Sequence, residues 1–134
     1  MGRGKCSTII VALGFMLLMC SDSSIVVSAE THVVGDSKGW GFSVSYDSWS
    51  SGKTFAAGDT LVLAKTVFNY QGGVHNAVAV SASEYRSCKV RNAADAAATA
   101  SGTARFGLKK GVNYFICGVP GHCAAGMKIR VVAN

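Results

Sequence analysis

The sequence is poor in proline, in histidine and in acidic residues. It contains one proline, three histidines and seven acidic residues against 13 basic ones. A single proline excludes a proline-rich stalk, and neither an internal repeat nor a block of like charge is present. The basic residues are scattered, without an arginine-rich helix or a basic stripe interleaved with aromatic residues. We therefore do not expect this protein to bind nucleic acid.

A long apolar run lies near the amino terminus, where we predict a secretory signal peptide over residues 1–29. Arg3 and Lys5 form a basic start, STIIVALGFMLLMC follows, and VVSAE places small or apolar residues before a cleavage point after Ala29. A transmembrane anchor is the competing interpretation, but the run is short for a bilayer. The mature protein would then be a single extracellular domain over residues 30–134.

The predicted mature domain is basic. Without Arg3, Lys5 and Asp22, the 13 basic and seven acidic residues become 11 and six, a formal net charge of +5. A basic exported domain would attract an anionic polysaccharide or an acidic protein partner. The alternative is that the charge provides only solubility. Since no apolar tail follows the last predicted strand, we expect no membrane anchor. We also expect the protein to be a monomer.

The mature sequence consists of short runs rich in Val, Phe, Tyr and Thr, separated by turns that contain Gly, Asp and Ser. Such runs predict β-strands, here over residues 31–35, 53–57, 59–70, 76–81, 103–108, 112–118 and 127–133. In the last run Met127, Ile129 and Val131 alternate with Lys128 and Arg130, as expected for a half-buried strand. About seven short strands indicate an all-β sandwich.

Two segments are less typical of strands. Residues 81–88, SASEYRSC, predict a helical turn capped by Ser81 or Ser83. Residues 92–102, NAADAAATASG, are rich in alanine and fit either a helix or a loop. We therefore expect one or two short helical segments beside the strands.

An odd number of cysteines remains after removal of the signal peptide. Cys6 and Cys20 leave with it, whereas Cys88, Cys117 and Cys123 stay. In an oxidising compartment two of these can form a disulfide, and the third is free, bonded to another chain or bound to a metal.

The stretch YFICGVPGHCAAGM contains four soft metal ligands within eleven residues, namely Cys117, His122, Cys123 and Met127. A thiolate, two imidazoles and a long thioether bond form the ligand set of an electron-transfer copper site. The spacing of five residues from Cys117 to His122 and again to Met127 allows one loop after a strand to present all three. His75, after the glycines of YQGGV, is the better candidate for the second imidazole.

Other chemistries are open to these residues. His75, Cys117, His122 and Cys123 form a candidate structural zinc set, although that set leaves Cys88 unpaired. A thiol nucleophile at Cys117 with His122 as its base is less well supported, because no third orienting group or oxyanion hole is evident. A copper enzyme is not expected, because three histidines are too few for a trinuclear or a copper–zinc centre.

The sequence resembles the phytocyanins, the plant blue copper proteins of the cupredoxin class, and within them the plantacyanins or basic blue proteins. The resemblance rests on HN at 75–76, CGVPGHCAAGM at 117–127, VVGDSKGW at 33–40, AAGDTL at 56–61 and YRSC at 85–88. It covers essentially the whole predicted mature chain. It implies a cupredoxin-like Greek-key β-sandwich of seven to eight strands.

The resemblance also implies roles for individual residues. One type 1 copper ion would be bound by His75, Cys117, His122 and Met127. Methionine at position 127 separates this chain from the stellacyanin-like proteins, which carry glutamine there. We expect Asn76 to form a hydrogen bond near the Cys117 sulfur and to tune the site.

Two further features follow from the resemblance. Cys88 and Cys123 would form the family's disulfide beside the copper loop. Between GDTL and HN this chain is a few residues longer than is usual in the family, with the extra residues around positions 63–67. We expect a bulge or loop to absorb them, since an odd insertion would otherwise reverse the faces of a strand.

From these features we predict a secreted single-electron carrier that cycles between Cu(II) and Cu(I) in the extracellular space, in the apoplast or cell wall, and that is not an enzyme. The sequence does not identify its redox partner, and anionic cell-wall polysaccharide is a candidate further partner. The alternative is an extracellular matrix-associated binding or signalling protein in which copper is structural or regulatory.

Overall fold

The computed structural model describes residues 28–64, 75–91 and 103–134. Nearly all of the predicted signal peptide, the alanine-rich segment 92–102 and residues 65–67 of the inserted region lie outside the described residues. The elements are, in chain order, β1 (Thr31–Val33), a 3-10 helix (Asp36–Lys38), α1 (Tyr46–Ser51), β2 (Thr60–Ala64), β3 (Val78–Val80), α2 (Ala82–Ser87), β4 (Thr103–Gly107), β5 (Gly111–Ile116) and β6 (Lys128–Ala133). In these ranges no helix has the length and apolar character that crossing a membrane requires.

The six strands of the described residues form two three-stranded sheets, in the orders β1-β2-β4 and β3-β5-β6. β1 runs parallel to β2, with Thr31 opposite Thr60, and β2 runs antiparallel to β4. In the second sheet β5 is central and antiparallel to both neighbours, so that Phe115 lies opposite Ala79 on one side and Ile129 on the other. This arrangement confirms the predicted all-β class.

The hydrophobic core lies between the two sheets. The rings of Phe106 in β4 and Phe115 in β5 are 4.9 Å apart, and Leu61 and Ile129, from opposite sheets, are fully buried. β6 shows the predicted alternation, since Ile129 is buried and Arg130 beside it is exposed. Each buried side chain of this size contributes about 1.5–3 kcal/mol. The sandwich is therefore a stable support for the loop that precedes β6.

The prediction of a strand over residues 53–57 is wrong. This segment forms only a parallel bridge between Phe55 and Ala133. The backbone turns here because the Ala56 N–H donates to the Asp59 carboxylate at 3.0 Å and the Asp59 N–H donates to the Ala56 carbonyl at 3.1 Å. Helix α1 was also not predicted, since its sequence YDSWSS has three serines and no helical apolar period.

Helix α2 is preceded by its N-cap residue Ser81, one of the two predicted caps. The Ser81 hydroxyl accepts a hydrogen bond from the Glu84 N–H at 3.2 Å, and the Glu84 carboxylate accepts one from the Ser81 N–H at 3.3 Å. This reciprocal pair satisfies two N–H groups at the helix start. The residue that caps the end of the helix is Cys88, which has a left-handed backbone with φ 55°. The cap at one end thus supports the position of a cysteine at the other.

Candidate metal centre

The loop from Cys117 to Met127 leaves β5 and enters β6. The Cys117 N–H donates to the Met127 carbonyl at 2.9 Å, and the Met127 N–H donates to the His122 carbonyl at 3.0 Å. Gly121 and Gly126 have φ angles of 82° and 104°, a region that favours glycine. The backbone of the loop therefore brings its two ends together and holds all three predicted ligand residues.

The side chains of His75, Cys117 and His122 converge at this loop. Their candidate ligand atoms lie within 4.8 Å of one another. The two Nδ1 atoms of His75 and His122 are 3.1 Å apart, and the Cys117 Sγ is 3.5 Å from the His122 Nδ1. Among the described residues, this is the only group of three or more histidine, cysteine or acidic side chains arranged to hold a metal ion.

The chemistry of these donors fits copper. Cys117 is a free thiol that is 1% exposed, His75 is 7% exposed, and His122 is half-buried. One thiolate sulfur and two imidazole nitrogens suit copper better than they suit hard cations, which prefer oxygen. A site shielded from water also strengthens the electrostatic attraction between the thiolate and a bound cation.

Met127 is fully buried, in the core cluster that also contains Cys117. Its N–H and carbonyl are bonded to His122 and Cys117 respectively, so its backbone is fixed to two predicted ligands. A thioether is a soft ligand that forms long, weak bonds to copper. Met127 thus packs in the core, and its backbone is held beside two of the predicted ligands.

Cys88 and Cys123 form a disulfide, with their Cα atoms 5.6 Å apart. The bond joins the end of α2 to the residue that follows His122. It excludes the alternative zinc set that included Cys123, because the sulfur of that residue is already bonded. It also assigns the odd cysteine, since Cys117 is left as the thiol at the candidate metal centre.

Asn76 links the two parts of the chain that supply the donors. Its side-chain oxygen accepts a hydrogen bond from the Gly118 N–H at 2.5 Å, and its carbonyl accepts one from the Trp40 indole at 2.9 Å. The expected contact near the Cys117 sulfur is therefore a bond to the backbone of the next residue. Through it, the strand that begins after His75 is tied directly to the loop.

Phe42 is a residue of this site that the sequence did not indicate. Its ring lies edge-on to both imidazoles, with centroids 4.9 Å from His122 and 5.4 Å from His75. The side chain is 52% exposed, so it covers the histidines on the solvent side. Phe42 lies in an irregular segment, GWGFSV, where no periodic pattern predicts which side chain will face the site.

The Tyr46 hydroxyl holds the segment that carries Phe42. It accepts a hydrogen bond from the Gly41 N–H at 2.7 Å, and its proton is within reach of the carbonyls of Gly39 at 2.9 Å and Gly41 at 3.0 Å. Burial raises the pKa of the Tyr46 hydroxyl above its ordinary value, so the group remains a protonated donor at neutral pH. The cover over the histidines is therefore fixed by buried hydrogen bonds.

Comparison with known proteins shows the same architecture and metal. Residues 40–127, which contain all four predicted ligands, match the family model of the plastocyanin-like domain. The chain is 42% identical over 132 residues to chemocyanin from Lilium longiflorum, covering 98% of this chain and 97% of that protein. It is 39% identical over 138 residues to a basic blue protein from Arabidopsis thaliana, covering 98% of this chain and 97% of that protein. Among solved structures, cucumber basic protein, a blue copper protein, is similar with a TM-score of 0.59 and 39% identity, over 78% of this chain and 99% of that one.

Proposed function

Since the chain belongs to the plastocyanin-like domain family and, within it, to the plant blue copper proteins known as phytocyanins, we propose that it carries single electrons outside the cell. The proposed ligands of one copper ion are His75, Cys117, His122 and Met127. The observation that carries the proposal is the convergence of the donor atoms of the first three residues within 4.8 Å.

The donor set suits a metal ion that is oxidised and reduced while its ligands stay in place. Bound copper supplies one reversible electron step between Cu(II) and Cu(I). The sulfurs of Cys117 and Met127 favour the reduced ion, whereas the imidazoles of His75 and His122 also suit the oxidised ion. Because the backbone bonds and the disulfide hold the loop that carries Cys117, His122 and Met127, these donors need to move little when the charge changes.

We propose that electrons enter and leave on the side of His122 and Phe42. His122 is half-buried, whereas His75 is only 7% exposed. Phe42 is 52% exposed and contacts both rings. A redox partner that packs against Phe42 would approach the imidazole of His122 without displacing the loop.

The direct test is the visible absorption of the purified, copper-loaded protein. Thiolate bonded to Cu(II) gives an intense band that Cys117→Ser should remove while the far-ultraviolet circular dichroism stays unchanged. His32→Asn is a matched control, because His32 pairs with Asp59 at 2.9 Å and is not among the proposed ligands. A wild-type protein that binds zinc in preference to copper and stays colourless would refute the proposed site.

We further propose that the protein is exported, acts as a monomer and has no catalytic activity of its own. The basic and apolar start of the sequence supports export. Three histidines, one of them paired with Asp59, support a single copper ion rather than a multicopper enzyme. Secretion from a plant host and light scattering of the purified product test the first two points.

A second candidate function is binding to an anionic cell-wall polysaccharide, with copper in a structural or regulatory role. It is favoured by the exposed basic side chains Lys53, Arg105, Lys109, Lys110 and Arg130. The test is binding to polygalacturonate at increasing salt, for the wild type and for copper-free Cys117→Ser. Equal, salt-sensitive binding of both proteins would separate this role from electron transfer.

A further inference from the structure

A buried carboxylate that the metal centre does not use lies at the other end of β6. Asp59 is 4% exposed and closes the turn that begins at Phe55, which is bridged to Ala133. Met127 lies just before the opposite end of the same strand. At about 3.3 Å per residue, the two ends are separated by about 20 Å, so Asp59 acts independently of the metal donors.

The Asp59 carboxylate contacts Glu30 and His32 in addition to the Ala56 N–H that closes the turn. Its Oδ1 accepts a hydrogen bond from the Glu30 N–H at 2.9 Å, and its Oδ2 accepts one from the Ala56 N–H at 3.0 Å. The His32 Nε2 is 2.9 Å from the same Oδ2. The bond from Glu30, followed by those from His32 and Ala56, lowers the pKa of Asp59 to about 2. The carboxylate is therefore charged at neutral pH, whereas His32 is cationic only when protonated.

Glu30 is the first residue of the predicted mature chain, and both of its backbone groups are held. Its N–H donates to Asp59, and its carbonyl accepts a hydrogen bond from the Thr60 N–H at 2.8 Å. Ser28 and Ala29, in contrast, are exposed and outside any helix or strand. The predicted cleavage point thus lies where an accessible segment meets an anchored one.

We propose that Asp59 is the binding site for the α-ammonium group of the mature protein. Hydrolysis of the Ala29–Glu30 peptide bond consumes one water, leaves a carboxylate on Ala29 and frees an amine on Glu30, which takes up a proton. The nitrogen that donates to Asp59 as an amide becomes a cation at the same position. The bond already has an ionised acceptor, and cleavage adds the Coulomb attraction of a cation, which is stronger near a buried group than in water. Removal of the signal peptide therefore stabilises the fold.

This contact would fix both ends of the mature chain to one turn. The Ala57 N–H donates to the Asn134 carbonyl at 2.9 Å, and the Asn134 N–H donates to the Phe55 carbonyl at 3.0 Å. The amino terminus binds the same turn through Asp59. The inference rests on the proposed export, because only a cleaved chain carries an ammonium group on Glu30.

The experiment compares four copper-loaded proteins secreted from the full chain. They are the wild type, a variant with one glycine inserted between Ala29 and Glu30, Asp59→Asn, and the combination of both changes. The insertion moves the ammonium group outward by one residue and restores an amide at Glu30. We expect it to lower the Tm by about 4 °C when Asp59 is present, because the Coulomb attraction between ammonium and carboxylate is lost, and to have no effect in Asp59→Asn.

Two further measurements define the outcome. Intact mass identifies the amino-terminal residue. NMR titration should show an α-amino pKa above its usual value of about 7.7–8.0. The ionisable groups beside this amine are the His32 ring and the Glu30 carboxylate. A mass lower by one water, which indicates cyclised glutamate, would overturn the proposal. So would an equal effect of the insertion with and without Asp59.

The visible colour separates this inference from the proposed function. A cleaved, colourless wild type would contradict the copper site while leaving the Asp59 comparison valid. A blue protein without an Asp59-dependent effect would contradict only the present inference. An uncleaved product would refute both the export and the ammonium site.

Discussion

The Nδ1 atom of His122 lies 3.5 Å from the sulfur of Cys117. The two residues are also joined through the backbone, since Met127 donates to the His122 carbonyl and accepts from the Cys117 N–H. The distance between the donors is therefore determined by the loop and the sandwich that supports it. This relationship predicts how the protein responds when the metal is removed.

Removing copper with a chelator should leave the fold intact and lower its Tm. A ligand that binds only the folded state stabilises it by about 4 kcal/mol at a thousandfold excess over Kd, while the core and the disulfide are unaffected. Circular dichroism should be unchanged at room temperature, and calorimetry should show a lower, still cooperative transition that copper restores. Unfolding on metal removal would contradict a site formed by the fold.

Replacement of Phe42 by alanine should speed copper loss without destabilising the domain. The ring contacts both imidazoles, and aromatic contacts of this kind contribute about 0.5–1.5 kcal/mol. Release to a chelator should therefore be about two- to twelvefold faster, as followed by the decay of the visible band. Val112→Ala is the control, because Val112 is similarly exposed at 44% but lies near the start of β5. An unchanged release rate would exclude a covering role for Phe42.

Asn76→Ala should lower stability and shift the spectrum and the reduction potential. The change removes the acceptor for the Gly118 N–H, which costs about 1–3 kcal/mol and loosens the backbone beside Cys117. Asn113→Ala is the matched control, since Asn113 makes two comparable bonds to the backbone of Lys109 away from the site. Asn113→Ala should reduce the urea midpoint but leave the visible spectrum unaltered. Identical spectra for both variants would argue against a tuning role for Asn76.

The double variant Cys88→Ala, Cys123→Ala should be less stable by about 3–4 kcal/mol, the loop-entropy value for a closure of this size. The residues are 35 apart in sequence. Release of the loop should also weaken copper binding, because Cys123 directly follows His122. Equilibrium urea unfolding measures the first effect and copper titration the second, with Ser87→Ala as a control at the same helix end. Unchanged copper affinity would show that the backbone bonds alone position His122.

Stability should fall in acid because of Asp59. Its pKa is lowered from 3.8 to about 2, first by the Glu30 N–H and then by His32. A lowered carboxyl pKa stabilises the fold above the unfolded-state value, and this contribution is lost as pH falls from about 4 towards about 2. The Tm of copper-free wild type should decrease over this interval, and that of Asp59→Asn should decrease less. Asp36→Asn, at a surface pair with Lys53, should behave like the wild type.

Features that depend on a short stretch of sequence were predictable. The alternation in β6 reflects a strand with one buried face, and the Ser81 cap depends only on residues three positions apart. The spacing of Cys117, His122 and Met127 likewise belongs to one continuous loop. Each of these is a short-range property, so that a single stretch of sequence contains all the information required.

Features that depend on long-range contacts were not predictable in the same way. The approach of Phe42 to His122 joins segments 80 residues apart, and the Glu30 bond to Asp59 depends on the parallel register of β1 with β2. The segment at Phe55 has the composition of a strand, but the Asp59 carboxylate accepts the Ala56 N–H and closes a turn there. In each case a tertiary contact decided the structure over local propensity.

The burial of Cys117 has a consequence for oxidative folding. The three cysteines of the predicted mature chain allow three disulfide pairings. Loop entropy favours joining Cys117 to Cys123, which are much closer in sequence than the native pair separated by 35 residues. In the folded chain Cys117 is 1% exposed and out of reach of thiol–disulfide exchange. The order of burial and oxidation therefore matters, because the Cys117 thiol has to be buried before an oxidant acts. A chain oxidised too early closes the shorter loop and consumes the sulfur that its metal requires.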